Sequence, residues 1–295
     1  MSRRGMLMIS RFKDHPAATV VGSVALIGLL LTGTWGLRGR GLRGRALAVL
    51  RSPSISTDGE FTNVIFLHHS TGRNLIVQGN VRCQLAERGY QFWDHDYNEL
   101  GVTRPDGSAA GFHYGVPDDN TNPDGLARIF AQPALGLPAN TLGGLLQHEV
   151  IVFKSCFPVS QIASDEQLES YTEHYLQIRD TMDRHLDRVF IVVTPPPLNP
   201  AATDPEAASR ARAFADWLTS DAYLNNHPNV FAFDLFDLLA EDESEVPDHN
   251  MLRRDYRSGS DSHPNKRANE TIGPLLVDVI VHATASYRDG HGSGN

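Results

Sequence analysis

Short apolar runs alternate with helical patterns along most of the chain. Five runs are continuously or almost continuously apolar, as expected of strands buried on both faces of a sheet. We assign these strands to residues 63–69, 90–95, 149–153, 189–193 and 230–235. Between them, apolar residues recur at steps of three and four, which indicates helices that pack on the sheet. Strands that alternate with helices predict an α/β domain with a parallel sheet and helices on both faces.

Capping residues support several of these helices. The clearest one is predicted over 165–188, where Ser164 and Gln167 form a capping-box pattern. Asp204 and Pro205 are typical of the N-cap and the first position of another helix. We predict further helices at 74–88, 124–131, 141–147 and 264–287.

The N-terminal part has a different character. Residues 17–37 carry no charge and have about the length that crosses the hydrocarbon core of a bilayer. We predict a single transmembrane helix there, with Trp35 at the membrane interface. An arginine-rich sequence follows directly, which suits a retained anchor better than a cleaved signal peptide. A cleaved signal, or a misassigned start codon with a soluble body, are the alternatives.

These patterns divide the chain into four parts. We expect a basic and apolar anchor segment (1–51), a polar linker (52–60), one α/β domain (61–287) and a flexible tail (288–295). The expected location is therefore a membrane crossed once, and an N-terminal anchor favours a domain outside the cytoplasm. The basic residues that flank the span are nearly balanced, so charge alone does not decide the orientation.

Charge and cysteine content exclude several functional classes. Residues 52–295 carry 17 basic and 34 acidic residues, and a body this acidic repels phosphate backbones. We therefore expect no nucleic-acid partner. Two cysteines in 295 residues also exclude a disulfide scaffold.

Polar side chains concentrate where the predicted strands end. Ligands of parallel sheets bind beyond the carboxyl ends of the strands, so a site is expected at this edge. Ser70 follows the first strand and precedes a helix, beside backbone N–H groups that lack partners. A nucleophilic serine in this place would have an oxyanion donor next to it. The alternative is a serine that only caps the helix.

A second polar group, Asp261 and His263, precedes the last predicted helix. The loop that carries it follows the fifth strand and is therefore expected on the same edge as Ser70. A carboxylate beside His263 would orient the imidazole and leave its other nitrogen as the general base for Ser70. The alternative is a surface loop with a capping aspartate and an unrelated histidine.

At these positions the chain resembles the SGNH (GDSL-like) hydrolase family. HHSTG at 68–72 is similar to the block that supplies the family's nucleophile, and DSHPN at 261–265 is similar to the block that supplies its acid and base. The resemblance extends over about residues 62–283. It implies a three-layer α/β/α, flavodoxin-like fold with a five-stranded parallel sheet. It also implies ester hydrolysis by Ser70 and His263.

Several positions depart from the family's pattern. Ser260 stands where the family carries its acid, so Asp261 would have to orient the histidine. The family's oxyanion asparagine is absent after the third strand, where Ser155 or Cys156 would substitute. Gly101 is a loose match to the glycine that supplies the family's backbone donor.

The other polar residues at this edge allow further roles. His69 and His95 are expected to line the pocket, and Asn120 lies in a stretch (113–122) whose aromatic, amide and acid groups suit a sugar. A zinc or manganese site is an alternative. It would use His68, His69, Asp94, His95 and Asp96. No HExxH-type spacing supports this site, and adjacent strand residues point to opposite faces, so we expect no metal and no cofactor.

The resemblance and the predicted anchor together imply a membrane-anchored serine hydrolase that cleaves a carboxylic ester. Small-molecule or carbohydrate esters are the expected substrates, and O-acyl groups on cell-envelope carbohydrate are the class that the family analogy favours. A non-catalytic glycan-binding module on the same fold is an alternative. An acyltransferase, which shares the covalent intermediate, is another.

Overall fold

The computed structural model describes residues 59–118, 120–135 and 138–292, and these form an α/β domain around one sheet. The strands are β1 (Asn63–Leu67), β2 (Gln91–His95), β3 (Val102–Thr103), β4 (Val150–Lys154), β5 (Val189–Val193) and β6 (Val230–Phe233). Their order is β3-β2-β1-β4-β5-β6. All pairs are parallel except β2 with β3. The five parallel strands match the five predicted ones. A strand of two residues leaves no periodic pattern, so β3 was missed.

Nine α-helices lie within the described residues. They are α1 (Ser70–Gln78), α2 (Val81–Glu87), α3 (Pro123–Phe130), α4 (Thr141–Leu145), α5 (Asp165–Met182), α6 (Pro205–Thr219), α7 (Asp221–Leu224), α8 (Leu235–Leu239) and α9 (Lys266–Gly292). The predicted caps of α5 and α6 are confirmed. Ser164 Oγ accepts from the backbone N–H of Gln167, and the Asp204 carboxylate accepts from that of Ala207.

The sheet divides the apolar core into two parts, one on each face. Within β1, Ile65 and Leu67 belong to one part, and Val64 and Phe66 belong to the other. Successive strand residues point to opposite faces, so a strand covered on both faces has to be apolar at every position. This is why the strands read as continuous apolar runs in the sequence.

The first predicted helix, 74–88, is two helices in the structure. α1 begins earlier, at Ser70. The helical conformation is interrupted at Gly79 and Asn80, between α1 and α2. Asn80 has a φ of 53°, in the left-handed region. A Cβ on Gly79 would lie 2.7 Å from Gly273 Cα in α9. The break and the two glycines therefore allow α1 and α9 to approach closely.

Two helix ends also differ from the predicted ones. α5 ends at Met182 rather than at 188. Leu186, which continued the apolar period in the sequence, lies in the turn before β5 and is 51% exposed. α9 continues to Gly292, so residues 288–292 are helical and not a flexible tail. The ion pair between Arg288 and Glu60, at 3.2 Å, holds this last part of the helix to the start of the domain.

The predicted anchor segment 1–51, with its span 17–37, and residues 52–58 of the predicted linker lie outside the described residues. Within the described part of the chain, no helix combines the length and the hydrophobicity needed to cross a bilayer.

The close approach of α1 and α9 gives a first prediction. In Gly79→Ala the new methyl group would meet Asn269 O at 2.6 Å and Gly273 Cα at 2.7 Å. Both are backbone atoms, so relief requires the helices to separate. We expect a loss of about 1–3 kcal/mol in the free energy of unfolding, measured by urea denaturation followed by circular dichroism.

The matched control is Gly290→Ala, because a Cβ at Gly290 in α9 would meet no atom within 4 Å. Alanine favours helix over glycine by about 1 kcal/mol, so this variant should be as stable as the wild type or more stable. Equal stability of Gly79→Ala and the wild type would contradict the close contact.

Candidate active site

Ser70 and His263 meet at the carboxyl edge of the sheet. The Ser70 hydroxyl lies 2.8 Å from His263 Nε2, and His263 Nδ1 lies 2.8 Å from Asp261 Oδ1. The Asp261 carboxylate can only accept, so Nδ1 carries the proton and Nε2 is left to accept from the hydroxyl. The three side chains form one hydrogen-bonded chain that ends on the serine oxygen.

Ser70 owes its place to the junction of β1 and α1. His69 is the N-cap of α1 in an extended conformation, and Ser70 is the first helical residue. No side chain caps this end of the helix, and the N–H groups of Ser70 and Thr71 have no acceptor among the described residues. The hydroxyl therefore lies beside free backbone donors at the positive end of a helix dipole.

Gly72 is required because the side chain of His68, four residues earlier, lies against it. A Cβ on Gly72 would lie 2.4 Å from the Cβ of His68. The side chain of His68 therefore fills the space where a larger residue at 72 would place its own. Glycine at this position lets the first turn of α1 pack directly over that side chain.

His263 is held by a short loop that Asp261 organises. Asp261 Oδ1 accepts from both the backbone N–H and the ring of His263, at 3.0 and 2.8 Å. These bonds lower the pKa of Asp261, the backbone N–H having the larger effect and the ring the smaller one. An aspartate two residues before the histidine thus reaches the imidazole by folding back in an Asx-type turn.

Asn199, in the segment that follows β5, holds this loop in place. Its side-chain NH2 donates to the carbonyl groups of Gly259 and Asp261, at 3.0 and 3.1 Å. Its backbone N–H donates to the hydroxyl of Ser262. Sequence analysis did not identify this residue. An asparagine between prolines just after a predicted strand was the available signal.

The site is open to solvent. The side chain of His263 is 28% exposed and that of Asp261 is 56% exposed. The ring of Phe157 packs edge-on against His263, with the ring centres 4.9 Å apart. A substrate can therefore reach Ser70 from solvent without entering a closed cavity.

Asp94 in β2 and Asp96 just after it are held by basic partners. His68 Nε2 donates to Asp94 at 3.1 Å, and Arg82 pairs with the other oxygen of the same carboxylate. Burial raises the pKa of Asp94, but the hydrogen bond from His68 and the charges of His68 and Arg82 outweigh it and lower the pKa. Arg73 pairs with Asp96 at 2.5 Å. Among the described residues, no group of three or more His, Cys, Asp or Glu side chains is placed to hold a metal ion.

Gly101 does not offer the backbone donor predicted for it. Its N–H donates to Tyr97 O at 2.8 Å, which closes a tight turn after β2. The glycine is needed for this turn, since its φ is +68° and a Cβ would lie 2.4 Å from Phe112 O. Gly101 is therefore a structural residue.

Ser155 and Cys156 are also occupied elsewhere. The Ser155 hydroxyl is buried and lies 2.7 Å from the hydroxyl of Tyr175 in α5. The backbone N–H of Cys156 donates to Thr121 O at 3.0 Å. The Cys156 thiol is buried and unpaired. The Ser155 hydroxyl and the Cys156 backbone N–H are thus engaged inside the domain, so neither of these two groups is free to replace the missing oxyanion asparagine.

His95 was expected in the pocket, and the structure buries it completely. Its Nδ1 donates to Asp96 O at 2.5 Å, and its Nε2 accepts from the backbone N–H of Tyr114 at 3.0 Å. Burial lowers its pKa to about 4. Both ring nitrogens are used to join β2 to the loop that follows β3, so His95 cannot bind substrate.

Asn120 lies buried in the loop before α3, and its NH2 group donates to Pro117 O. Its side-chain oxygen has no hydrogen-bond partner among the described residues. The next residue, Thr121, accepts from Cys156 N–H and so ties this loop to the end of β4. Asn120 makes no hydrogen bond to Ser70, Asp261 or His263.

His69 remains next to the nucleophile, and it is almost fully buried. Its ring lies against that of Tyr97, with the centres 4.6 Å apart. Burial, followed by the positive charge of Lys154, lowers its pKa to about 3. His69 is therefore a neutral imidazole throughout the physiological pH range.

Comparison with known proteins adds no family to this description. The chain matches no protein-family model, and no curated protein resembles it in sequence. The geometry of the site is therefore what supports a function.

Three buried histidines predict how stability depends on pH. Burial lowers the pKa of His69 and His148 to about 3 and that of His95 to about 4. In the unfolded chain a histidine has a pKa near 6.5. Below about pH 6.5, unfolding is therefore accompanied by the uptake of protons. The free energy of unfolding decreases as the pH is lowered through this range. The expected slope reaches about 4 kcal/mol per pH unit for three groups.

Urea denaturation at pH 7.5 and pH 5.5 measures this slope. His148→Gln should reduce it by about one third, because one buried imidazole is removed. The exposed His282 provides the control, and His282→Gln should leave the slope unchanged. Equal stability of the wild type at both pH values would show that these rings are not held neutral.

Proposed function

We propose that the protein is a serine hydrolase that cleaves carboxylic esters. The observation that carries this proposal is the hydrogen bond of 2.8 Å between the Ser70 hydroxyl and His263 Nε2, at a helix N-terminus whose N–H groups are free. A hydroxyl paired with a base that a carboxylate orients is the arrangement that activates serine.

Each group has a defined part in the proposed reaction. Ser70 Oγ attacks the ester carbonyl carbon while its proton passes to His263 Nε2. Asp261 stabilises the resulting imidazolium, and the free N–H groups of Ser70 and Thr71 bind the oxyanion. The carbon–oxygen bond to the alcohol then breaks, and the alcohol leaves with the proton from Nε2. Water attacks the acyl-enzyme with His263 again as the base, which releases the acid and restores Ser70.

The resemblance to SGNH (GDSL-like) hydrolases supports the same proposal. The serine follows the first strand and the histidine precedes the last helix, in the order that the two sequence blocks imply. The parallel strands, with an apolar core between the sheet and the helices on each face, are consistent with a three-layer, flavodoxin-like architecture.

The proposed substrates are O-acyl groups on carbohydrate of the cell envelope. The open site supports this class, because His263 and Asp261 are partly exposed and a bulky polymer could reach the half-buried Ser70 without entering a closed cavity. The predicted anchor at residues 17–37 would keep the domain at a membrane, with the catalytic part outside the cytoplasm. Transfer of the acyl group to another alcohol would pass through the same intermediate.

One observation favours a second candidate function. The backbone N–H groups of Gly101 and Cys156 and the hydroxyl of Ser155 are bonded inside the domain. If the remaining N–H groups were too few to stabilise an oxyanion, the same edge would serve as a non-catalytic glycan-binding surface.

Replacing the nucleophile tests the proposal. Ser70→Ala should lower kcat/KM for p-nitrophenyl acetate at least about 1000-fold, because the acyl-enzyme can no longer form. The control is Ser286→Ala, which removes another serine hydroxyl near a histidine, 3.4 Å from His282 Nε2 on α9. That variant should keep wild-type activity.

Circular dichroism would first show that both variants are folded. Full activity of a folded Ser70→Ala would overturn the proposal. A wild type that hydrolyses no ester but binds acetylated glycans would favour the binding module.

A further inference from the structure

The oxyanion in the proposed reaction has fewer donors than the family resemblance implies. The N–H groups of Ser70 and Thr71 have no acceptor among the described residues, but the N–H groups of Gly101 and Cys156 and the hydroxyl of Ser155 are already bonded. A further donor would have to be close to Ser70 and unpaired. A histidine N–H is among the side-chain groups that can fill this role.

His69, which directly precedes the nucleophile, meets these conditions. Its Nδ1 is buried and has no partner among the described residues, whereas Nε2 has no protein partner there and is not buried. A proton on Nδ1 would be a buried donor with no acceptor, which is costly. A proton on Nε2, the less buried of the two nitrogens, can still reach water or substrate. The ring is therefore expected in the Nε2–H form.

The surroundings hold this ring in place and keep it neutral. Tyr97 packs against it, with ring centres 4.6 Å apart. The titratable groups around it are His68, His95 and Lys154, which disfavour a positive charge, and Asp96, which favours one. Burial and Lys154 prevail. The backbone is fixed as well, because His69 O accepts from Arg73 N–H at 2.9 Å.

We propose that His69 Nε2–H is a catalytic hydrogen-bond donor to the oxyanion that forms when Ser70 attacks the ester. This inference rests on the proposed hydrolase function. His69, the N-cap residue of α1, supplies the side-chain donor that the chain lacks after β4. The transition state is thus bound by one neutral imidazole and the first N–H groups of the helix.

Two variants of the full-length protein separate the donor from the packing of the ring. His69→Met fills similar space but has no N–H, whereas His69→Gln places an amide N–H near the position of Nε2. Both variants lose the aromatic contact with Tyr97. We expect His69→Met to lower kcat for p-nitrophenyl acetate about 100-fold or more with little change in KM. His69→Gln should recover at least tenfold of that loss.

A spectroscopic measurement tests the same claim without turnover. In protein labelled with 15N-histidine, the imidazole signal that disappears in His69→Gln belongs to His69. That signal should show the neutral Nε2–H form from pH 8 to pH 5. A boronic acid that forms a tetrahedral adduct on Ser70 should move the Nε2 proton downfield.

The outcomes distinguish this inference from the hydrolase function itself. An Nδ1–H form, a doubly protonated ring at pH 7, or wild-type kcat in a folded His69→Met would overturn the role of His69 alone. Wild-type activity in Ser70→Ala would overturn the hydrolase function, and the role of His69 with it. Equal losses in the Met and Gln variants would show that the ring acts through packing, which also contradicts a donor.

Discussion

The hydrogen bond between Ser70 and His263 depends on how two helices pack. α1 begins at Ser70, and α9 begins three residues after His263. The two helices meet where Gly79 lies against Gly273, and Asn269 of α9 donates to Gln78 of α1 at 2.8 Å. Because Ser70 begins α1 and His263 lies in the loop that leads into α9, the packing of the two helices contributes to the distance of 2.8 Å between hydroxyl and imidazole. The contact of Gly79, at the end of α1, with Gly273, within α9, is thus part of what brings Ser70 and His263 together.

Several ionisable side chains near this pair are buried. Carboxylates of β2 and the turn after it pair with His68, Arg82 and Arg73 inside the domain. Lys154 lies fully buried at the end of β4, where its ammonium group donates to Ser155 O, and burial lowers its pKa. The carboxyl edge of the sheet therefore contains several buried ionisable groups, although Asp261 and His263 themselves lie near solvent. The Ser70–His263–Asp261 group thus lies above a buried polar layer.

The sequence predicted the fold and the Ser–His pair better than it predicted the surrounding residues. Strand and helix periodicity located the five parallel strands, and Ser70 and His263 were expected on one edge because each follows a strand of a parallel sheet. Periodicity does not report which backbone N–H groups a loop uses, so the turns that occupy Gly101 and Cys156 were missed. Whether His95 faces the pocket or the core depends on the loop that packs against it, here the N–H of Tyr114. The helix interruption at Gly79 was missed for a similar reason. It is required by the contact with α9, which is almost two hundred residues away in the sequence.

Covalent labelling tests the central claim most directly, namely that His263 makes Ser70 nucleophilic. The full-length protein would be treated with a fluorophosphonate, digested, and analysed by mass spectrometry. The account predicts one adduct, on the peptide that contains Ser70, and little or no adduct in a folded His263→Ala variant. Labelling of Ser70 at the wild-type rate in that variant, or an unlabelled Ser70 in the wild type, would contradict it.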